Sequence, residues 1–577
     1  SSATVTVNGT VRADGAIDIS ATSINEKDDF TSNTGVQATP YPNVGGGKVA
    51  SLLNGFKGGN LFKLDGTSNA STITASAAVA VGSSTNSAVV TIGATAVLTS
   101  GADLTVASYA EDNFNLTAVT WATLSQNPDS GGSYAKISLS GAVAVAHYTN
   151  TATTTVTGGA SLTAAGALAL DAKAIMPIQL RILDWIAAIK QGPQFDPEPT
   201  TSPASDDPIT NGQQVDASTT EKFAWLTRQA GHLSDYFFNT LLGPISPYTL
   251  FAIGGYVTST TVEAVSGGSR TDQNGNEEKT AFGATGTVMV LTIVNSASTV
   301  VGTGAALNTR PDDDRPIVPT SAQTIRITAT SSVEMVNDAG IASLTDLLYF
   351  FLADGVKGKI GVGGTAQQIS VTTKADAHVE DGVAIAAIGD VTVKSTDHSL
   401  FVVVTQQLGE AEKVGVAGAY TLLQHTATSL AYLEDTVTVR AGGNLTIDAG
   451  SDTLAVTVSG VLQRGGVVAV GAGVAINAFD VTTKAFIGNA DGSRSTAPPP
   501  AGGFSVTAGG ALTVTAHSQE LLVAVGIAAT APAGGNEANG NGQPAPAGAG
   551  PALNNAGNQA GQGDAASFGF GLSANVS

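Results

Sequence analysis

The stretch Gly443–Ala449, which reads Gly-Asn-Leu-Thr-Ile-Asp-Ala, recurs along the chain. Close copies are Gly389–Ser395 (Gly-Asp-Val-Thr-Val-Lys-Ser) and Gly510–Ala516 (Gly-Ala-Leu-Thr-Val-Thr-Ala), and the three copies begin 54 and 67 residues apart. A unit that recurs at nearly constant length is the mark of a solenoid, in which each unit buries its apolar face against its neighbours. The phrase therefore predicts an elongated stack of coils.

Weaker copies of the phrase extend the repeat toward the N-terminus. They are Gly15–Ala21, Asp103–Ala107, Gly166–Ala172 and Thr324–Ala329. Leu104 and Leu168 lie 64 residues apart, which fits one unit. Leu168 and Ile325 lie 157 residues apart, which predicts two units plus an insertion.

A strand of small residues precedes each phrase, as in Gly141–Thr157 and Val468–Gly488. Its residues alternate with period two, which indicates β-strands, and its Gly and Asn residues predict turns of the backbone. The side chains are mostly Ala, Val and Thr, which suit coils stacked at a strand spacing of roughly 4.8 Å. Each unit is therefore expected to contain a small-residue strand, a polar kink and a second strand.

The compound pattern Gly-x-Val-Ala-Val/Ile-Asn, Thr-x-Ala-x-Ile-Gly and Gly-Gly-x-Leu-Thr-Val/Ile-x-Ala covers most of the chain. It resembles the repeats of giant bacterial surface and secreted β-helical proteins, the filamentous-haemagglutinin-like and leukotoxin-like filamentous adhesins. The resemblance implies an all-β fold, a right-handed parallel β-helix, at the bacterial cell surface or outside the cell. In such families adhesion often resides in inserts, so we expect partners among other copies, other surface proteins, or glycans and proteins of a neighbouring cell.

The composition agrees with this class. Of 577 residues 69 are Gly, 12% are charged and none is Cys, so no disulfide supports the fold. The net charge of −21 argues against nucleic acid and anionic membranes as partners. No signal peptide or membrane-spanning run is visible, and the strand patterns at both ends lead us to expect a piece of a longer protein.

Segments that break the repeat predict the domain organisation. Residues 1–173 and 257–577 carry the solenoid repeats, and residues 174–256 form a helical and Pro-rich insertion. A second, short helix is predicted at residues 343–352. Loop inserts are predicted at residues 22–62 and, in a Gly/Asn/Ala/Pro-rich stretch, at residues 530–566.

The helical insertion is the expected contact region. Its candidates for partner binding are aromatic and aliphatic residues: Trp185, Ile186, Phe223, Trp225, Tyr236 and Phe237. The alternatives are that these helices pack their apolar faces on the flank of the solenoid or contact a membrane.

Loop carboxylates are candidates for calcium, because hard cations prefer oxygen ligands. The candidate ligands are Asp28, Asp29, Asp312, Asp313 and Asp314. The alternative is that these side chains are solvated, and no other cofactor is expected.

No catalytic motif is present: the chain has no phosphate-binding loop, no Gly-x-Ser-x-Gly elbow and no His-Glu-x-x-His. A β-helical polysaccharide enzyme would display carboxylates and cations on neighbouring coils, for which Asp448, Asp452, Lys394 and Asp397 are the candidates. These residues are also typical of solvated strand ends.

We therefore expect a non-enzymatic structural or adhesive segment, a rigid rod that presents its inserts for contact. Two alternatives stay open. One is a carbohydrate-active enzyme or carbohydrate-binding module, and the other is a self-assembling sheath or filament subunit whose open strand edges pair.

Overall fold

Parallel β-strands build the fold. The computed structural model describes residues 1–25, 36–38, 73–114, 116–122, 137–177, 201–202, 215–216, 260–266, 269–271, 277–279, 281–309, 318–321, 323–340, 356–465, 467–489, 505–532 and 566–576. In this part of the chain there is no helix. Each coil contains a long strand, a short strand and a return strand.

The strands fall into these three classes and two small hairpins. The long strands are β1 Ser2–Val7, β5 Ile73–Ile92, β9 Ile137–Val156, β17 Phe282–Val301, β20 Val356–Val379, β25 Val468–Ile487 and β28 Ala566–Val576. The short strands are β2 Thr10–Ala13, β6 Val97–Ser100, β10 Ser161–Ala164, β18 Ala306–Leu307, β21 Ala384–Ala387, β23 Thr438–Ala441 and β26 Ser505–Ala508. The return strands are β3 Ile17–Asn25, β4 Val36–Ala38, β7 Leu104–Asp112, β8 Leu116–Ala122, β11 Leu168–Met176, β14 Thr260–Ser266, β19 Ile325–Gly340, β24 Leu445–Gly465 and β27 Leu512–Pro532. β22, Val391–Leu433, is the return strand of one coil and continues into the long strand of the next. The hairpins are β12 Thr201–Ser202 with β13 Val215–Asp216, and β15 Ser269–Thr271 with β16 Glu277–Lys279.

The recurrent phrase forms the start of each return strand. Its first apolar residues stand in one column of parallel, hydrogen-bonded neighbours: Ile17, Leu104, Leu168, Ile325, Val391, Leu445 and Leu512. From Leu104 to Leu445 these side chains are fully buried. Among the described residues only the two hairpins pair antiparallel. The predicted all-β parallel β-solenoid is confirmed, and its right-handed sense stays a prediction.

One predicted spacing is wrong. Leu168 pairs directly with Ile325, so the two residues belong to neighbouring coils and a single unit with its insertion separates them. The long strands give the same result, because β9 pairs with β17 from Ile137–Phe282 to Val156–Val301. A local repeat fixes the register of a coil, but it does not reveal how much chain loops out between two coils.

Two apolar cores run along the stack. The first is three-sided and lies between the second halves of the long strands, the short strands and the starts of the return strands, with Val90, Leu98 and Val106 as examples. The second is two-sided and lies between the first halves of the long strands and the ends of the return strands, where Leu291 and Phe401 are buried. Complete burial of each such side chain contributes about 1.5–3 kcal/mol.

A ladder of buried asparagines separates the two cores. Asn86 Nδ2 donates to Asn150 Oδ1 at 3.0 Å, and Asn150 Nδ2 donates to Asn295 Oδ1 at 2.9 Å. Asn150 Nδ2 also lies 3.2 Å from the carbonyl oxygen of Ala110 and 3.0 Å from that of Ile175, in two return strands. The sequence predicts turns at these asparagines, but they lie inside continuous strands, where their amides join opposite sheets.

The phrase begins with glycine because the neighbouring coil leaves no room for a side chain at that position. At Gly443 a Cβ atom would lie 2.3 Å from Asp390 Oδ1, the side chain of the preceding coil's corner. That oxygen accepts a 2.7 Å hydrogen bond from the Asn444 backbone N–H. Asn444 Oδ1 in turn accepts one from the Ala511 N–H at 2.9 Å. The Gly-Asx sequence therefore forms a corner of the coil. The Asp or Asn side chain at each corner accepts a hydrogen bond from a backbone N–H of the next coil.

The chain divides into two compact units, residues 1–177 with 258–577, and residues 178–257. Ala174 and Met176 still belong to β11, so the solenoid strand continues past the predicted start of the insertion at residue 174. The predicted loop at residues 22–62 begins within β3, which ends at Asn25. Apart from the end of β11 and the β12–β13 hairpin, the predicted helical insertion lies outside the described residues. The predicted helix at residues 343–352 and most of the predicted loop at residues 530–566 lie outside them as well.

We expect the Asn150→Ala variant to lose about 2–4 kcal/mol of stability, because the substitution removes the amide hydrogen bonds to Asn86, to Asn295 and to two carbonyl groups of the return strands. The measurement is the shift of the urea unfolding midpoint, followed by circular dichroism. Thr153→Ala, which removes an outward side chain from the same strand, should move the midpoint little. Equal shifts for the two variants would contradict a stabilising ladder.

Candidate functional site

The residues predicted to bind calcium or a partner lie outside the part of the chain that the structure describes. The calcium candidates are Asp28, Asp29, Asp312, Asp313 and Asp314, and the partner-binding candidates are Trp185, Ile186, Phe223, Trp225, Tyr236 and Phe237. Both sites stay predictions. Among the described residues, no three His, Asp or Glu side chains are grouped to hold a metal ion.

The four candidates for polysaccharide chemistry divide between two faces of the return strands. Lys394 and Asp448 are register partners on the outward face, with Lys394 Nζ 3.0 Å from Asp448 Oδ2. Asp452 is also exposed. Asp397 is fully buried on the inward face, because successive side chains of a strand alternate between faces. The four residues therefore do not form one catalytic group.

Asp448 is held ionised by the coils on both sides. Burial alone would raise its pKa, but the Thr515 hydroxyl donates a 2.6 Å hydrogen bond to Oδ1 and the Lys394 ammonium lies beside Oδ2. Together with His517 Nδ1 at 3.6 Å, these groups hold the pKa of Asp448 below its ordinary value. A paired, ionised carboxylate stabilises the stack and cannot serve as a general acid.

Asp397 lies among the buried polar side chains between the two cores. We call this strip, which includes the asparagine ladder, the polar seam. Neither carboxylate oxygen has a hydrogen-bond partner of good geometry. Burial raises the pKa of Asp397 to about 6, and the nearby hydroxyls of Thr373, Ser331 and Ser399 only partly offset the cost of its charge. A buried carboxyl group in this position favours the protonated form at mildly acidic pH.

His425 lies in the same seam and is neutral. Its Nε2 is 3.1 Å from Thr373 Oγ1 and 3.4 Å from Ser399 Oγ. Its ring meets Phe401 and Phe479 edge-on at centroid distances of 4.9 and 5.2 Å. Burial lowers the pKa of His425 to about 3. Because the seam is sealed from solvent, its polar groups cannot reach a substrate.

The outward side of the long strands carries an extended uncharged surface. We call it the apolar face, defined as the outward-pointing, alternate residues of 77–81, 139–145, 284–290, 362–368, 416–422, 470–476 and 568–574. All are Gly, Ala, Val, Leu, Ile, Phe or Tyr except Gln368. At about 4.8 Å between strands and about 6.7 Å between alternate residues, the apolar face covers roughly 900 Å².

A groove runs along the middle of the apolar face. Its floor is a column of paired residues at consecutive coils, Gly141, Gly286, Gly364, Gly418 and Ala472. The groove holds about 460 Å³ over the last four of these coils. Val288 and Tyr420 on one wall and Val416 on the other remain 38–41% exposed. Tyr420 is the one aromatic residue along this 460 Å³ stretch.

The sequence contains the signal for this face. The strand copies are apolar at both odd and even positions, and parallel strands with two apolar faces are typical of sheets covered on both sides. The glycines recur at the same place of Gly141–Val145 and Gly286–Val290. Comparison of the copies in register would have identified the groove.

Comparison with known proteins gives no relative: no family model, no curated protein and no solved structure matches this chain. The described residues also contain no apolar helix of membrane-spanning length. The geometry of the chain is therefore the basis for a functional proposal.

We expect the Asp397→Asn variant to gain stability over the wild type as the pH rises from 4 to 7, by about 2 kcal/mol. A folded-state pKa near 6, above the ordinary 3.8, means that Asp397 favours folding less as pH rises through this window. His425 has the opposite slope but is present in both proteins, so it cancels. The measurement is the urea midpoint at several pH values.

Asp448→Asn is the matched control, because its pKa is lowered and the sign reverses. That variant should lose stability relative to the wild type above about pH 4, the ordinary carboxyl range. Parallel pH profiles for the two variants would contradict the assignment of Asp397 to a sealed interior.

Proposed function

We propose that this chain is a structural or adhesive segment of a bacterial extracellular or cell-surface protein. It acts as a rigid stack that holds its inserts for contact with cells, surfaces or other copies. The observation that carries the proposal is the continuous register of the coils. β11 pairs with β19 and β14 pairs with β8, although residues 177–259 lie between β11 and β14 in sequence. An insertion of this length therefore leaves the register of the coils intact.

The chemistry of the described residues supports a mechanical role. The polar side chains of Asp397 and His425 are buried. The outward carboxylate of Asp448 forms an ion pair with Lys394 of the preceding coil. The enzyme alternative needs an acid and a base on one accessible surface. Lys394 and Asp448 lie on the outward face of the strands and Asp397 on the inward face, so the described residues give that alternative no support. The resemblance of the repeats to bacterial filamentous adhesins supports the location outside the cell.

Immunogold electron microscopy of the source organism tests the location. Antibodies against the purified chain should label intact, unpermeabilised cells, with gold particles on or beyond the outer surface. An antibody against a cytoplasmic enzyme of the same cells is the control for leakage. Label that depends on permeabilisation would contradict the proposal.

The role of the inserts is tested by replacing residues 178–257 with a short Gly-Ser linker. The stack should keep its circular dichroism spectrum and its urea midpoint, because these residues form a separate compact unit. Binding of the fluorescent chain to intact cells should fall at least tenfold. Unchanged binding by the folded variant would show that the insert is not the contact region.

A further inference from the structure

The apolar face defined above has the chemistry of an interface. The chain has a net charge of −21, yet no residue of this face is charged. On the inner coils of the face, Val145 and Val288 are each 41% exposed, and Leu139 and Val362 are each 38% exposed. Contiguous apolar surfaces above a few hundred Å² are rare on monomers and indicate a binding surface.

The shape of the face points to a partner with the same repeat. The glycine groove and its two valine-rich walls run along the stack, and each coil repeats them at about 4.8 Å. A second copy of this chain carries ridges with an identical period, so ridges and grooves of the two copies can stay in step over consecutive coils. Neither a lipid surface nor a globular partner has that period.

The size and polarity of the face also favour a second copy. A stable interface buries about 800 Å² on each partner, and the face offers roughly 900 Å². A glycan needs many hydrogen-bonding groups, whereas this face offers the amide of Gln368 and the hydroxyl of Tyr420. Because the same patch serves both copies, the contact closes as a two-fold dimer and does not grow into a filament.

We propose that two copies of the chain dimerise face to face through the apolar face, with the glycine groove of each copy receiving apolar side chains of the other. The stacks then lie side by side, and the long strands of the two copies form a sheet-on-sheet contact. The inference rests on the geometry of the stack and not on the proposed extracellular role.

The test uses variants that fill the groove without disturbing the fold. A Cβ atom at Gly286 or Gly418 meets nothing within 4 Å, and neither glycine has a positive φ, so the stack should tolerate a side chain there. The coil of Gly364 lies between the two, so two charges at these positions are not direct neighbours. Sedimentation velocity of the whole chain at micromolar concentrations should show a dimer. Gly286→Glu combined with Gly418→Glu should weaken the dimer at least tenfold, because two charges would be buried against an apolar partner.

Thr372→Glu is the control, because it adds a charge to an exposed position of β20 beyond the apolar face. It should leave the dimer intact. Circular dichroism confirms that each variant is folded. A wild-type chain that stays monomeric, or a double variant that dimerises as the wild type does, would overturn the proposal.

Two further outcomes separate the alternatives. The chain has no cysteine, so the thiol of a Gly364→Cys variant on the groove floor should be shielded from a water-soluble maleimide in the dimer and should react in dilute, monomeric protein. Flotation with phosphatidylcholine vesicles should leave the protein at the bottom of the gradient. A monomer that floats with vesicles would assign the face to lipid. Failure of the dimer with surface labelling intact would remove this inference alone.

Discussion

A parallel, in-register stack places each side chain directly against the residue at the same position of the next coil, and this constraint decides which residues each position can hold. Like charges cannot be repeated at about 4.8 Å, so carboxylates alternate with hydroxyls or cations. The outward column of the return strands shows this in the order Asp171, Thr328, Lys394, Asp448 and Thr515.

Amides and rings, by contrast, can stack on their own kind. Asn86 and Asn150 each donate to the asparagine of the next coil, and Asn295 ends the ladder by donating to carbonyl groups of the return strands. His378 and Tyr432 stack with centroids 4.6 Å apart and an interplanar angle of 1°, and Tyr432 meets Phe486 at the same distance. The low charge content of the chain follows from the same constraint.

The seam between the two cores changes along the stack. Thr373 follows Asn295 in the ladder column, and its shorter side chain is joined there by Asp397 and His425. Burial keeps His425 neutral and raises the pKa of Asp397, so the seam is more sensitive to pH in these coils than along the asparagine ladder. Different residues therefore stabilise the stack and form its surface. The polar seam joins opposite sheets, and the apolar face is exposed.

The local repeat was sufficient to predict the return strands, because the first apolar residue of each phrase occupies the same column from Leu104 to Leu512. The repeat did not predict that Leu168 and Ile325 are neighbours, because the length of chain between two residues does not tell how many coils separate them. The turn prediction at Asn150 failed because asparagine favours turns in isolation, whereas here its amide joins two sheets. The separation of Lys394 from Asp397 could be predicted from strand alternation, since side chains three positions apart in a strand point to opposite faces.

The register of neighbouring coils is tested most directly by engineered disulfides in this cysteine-free chain. Thr153 and Ser298 are register partners on the outward sides of β9 and β17. Cys at these two positions should form a disulfide under mild oxidation, because paired strands hold Cα atoms within the 4.4–6.8 Å that a disulfide requires. Cys at Thr153 and Val294, four positions out of register and roughly 13 Å apart, should stay reduced. Closure of the second pair, or failure of the first in folded protein, would contradict the stack described here.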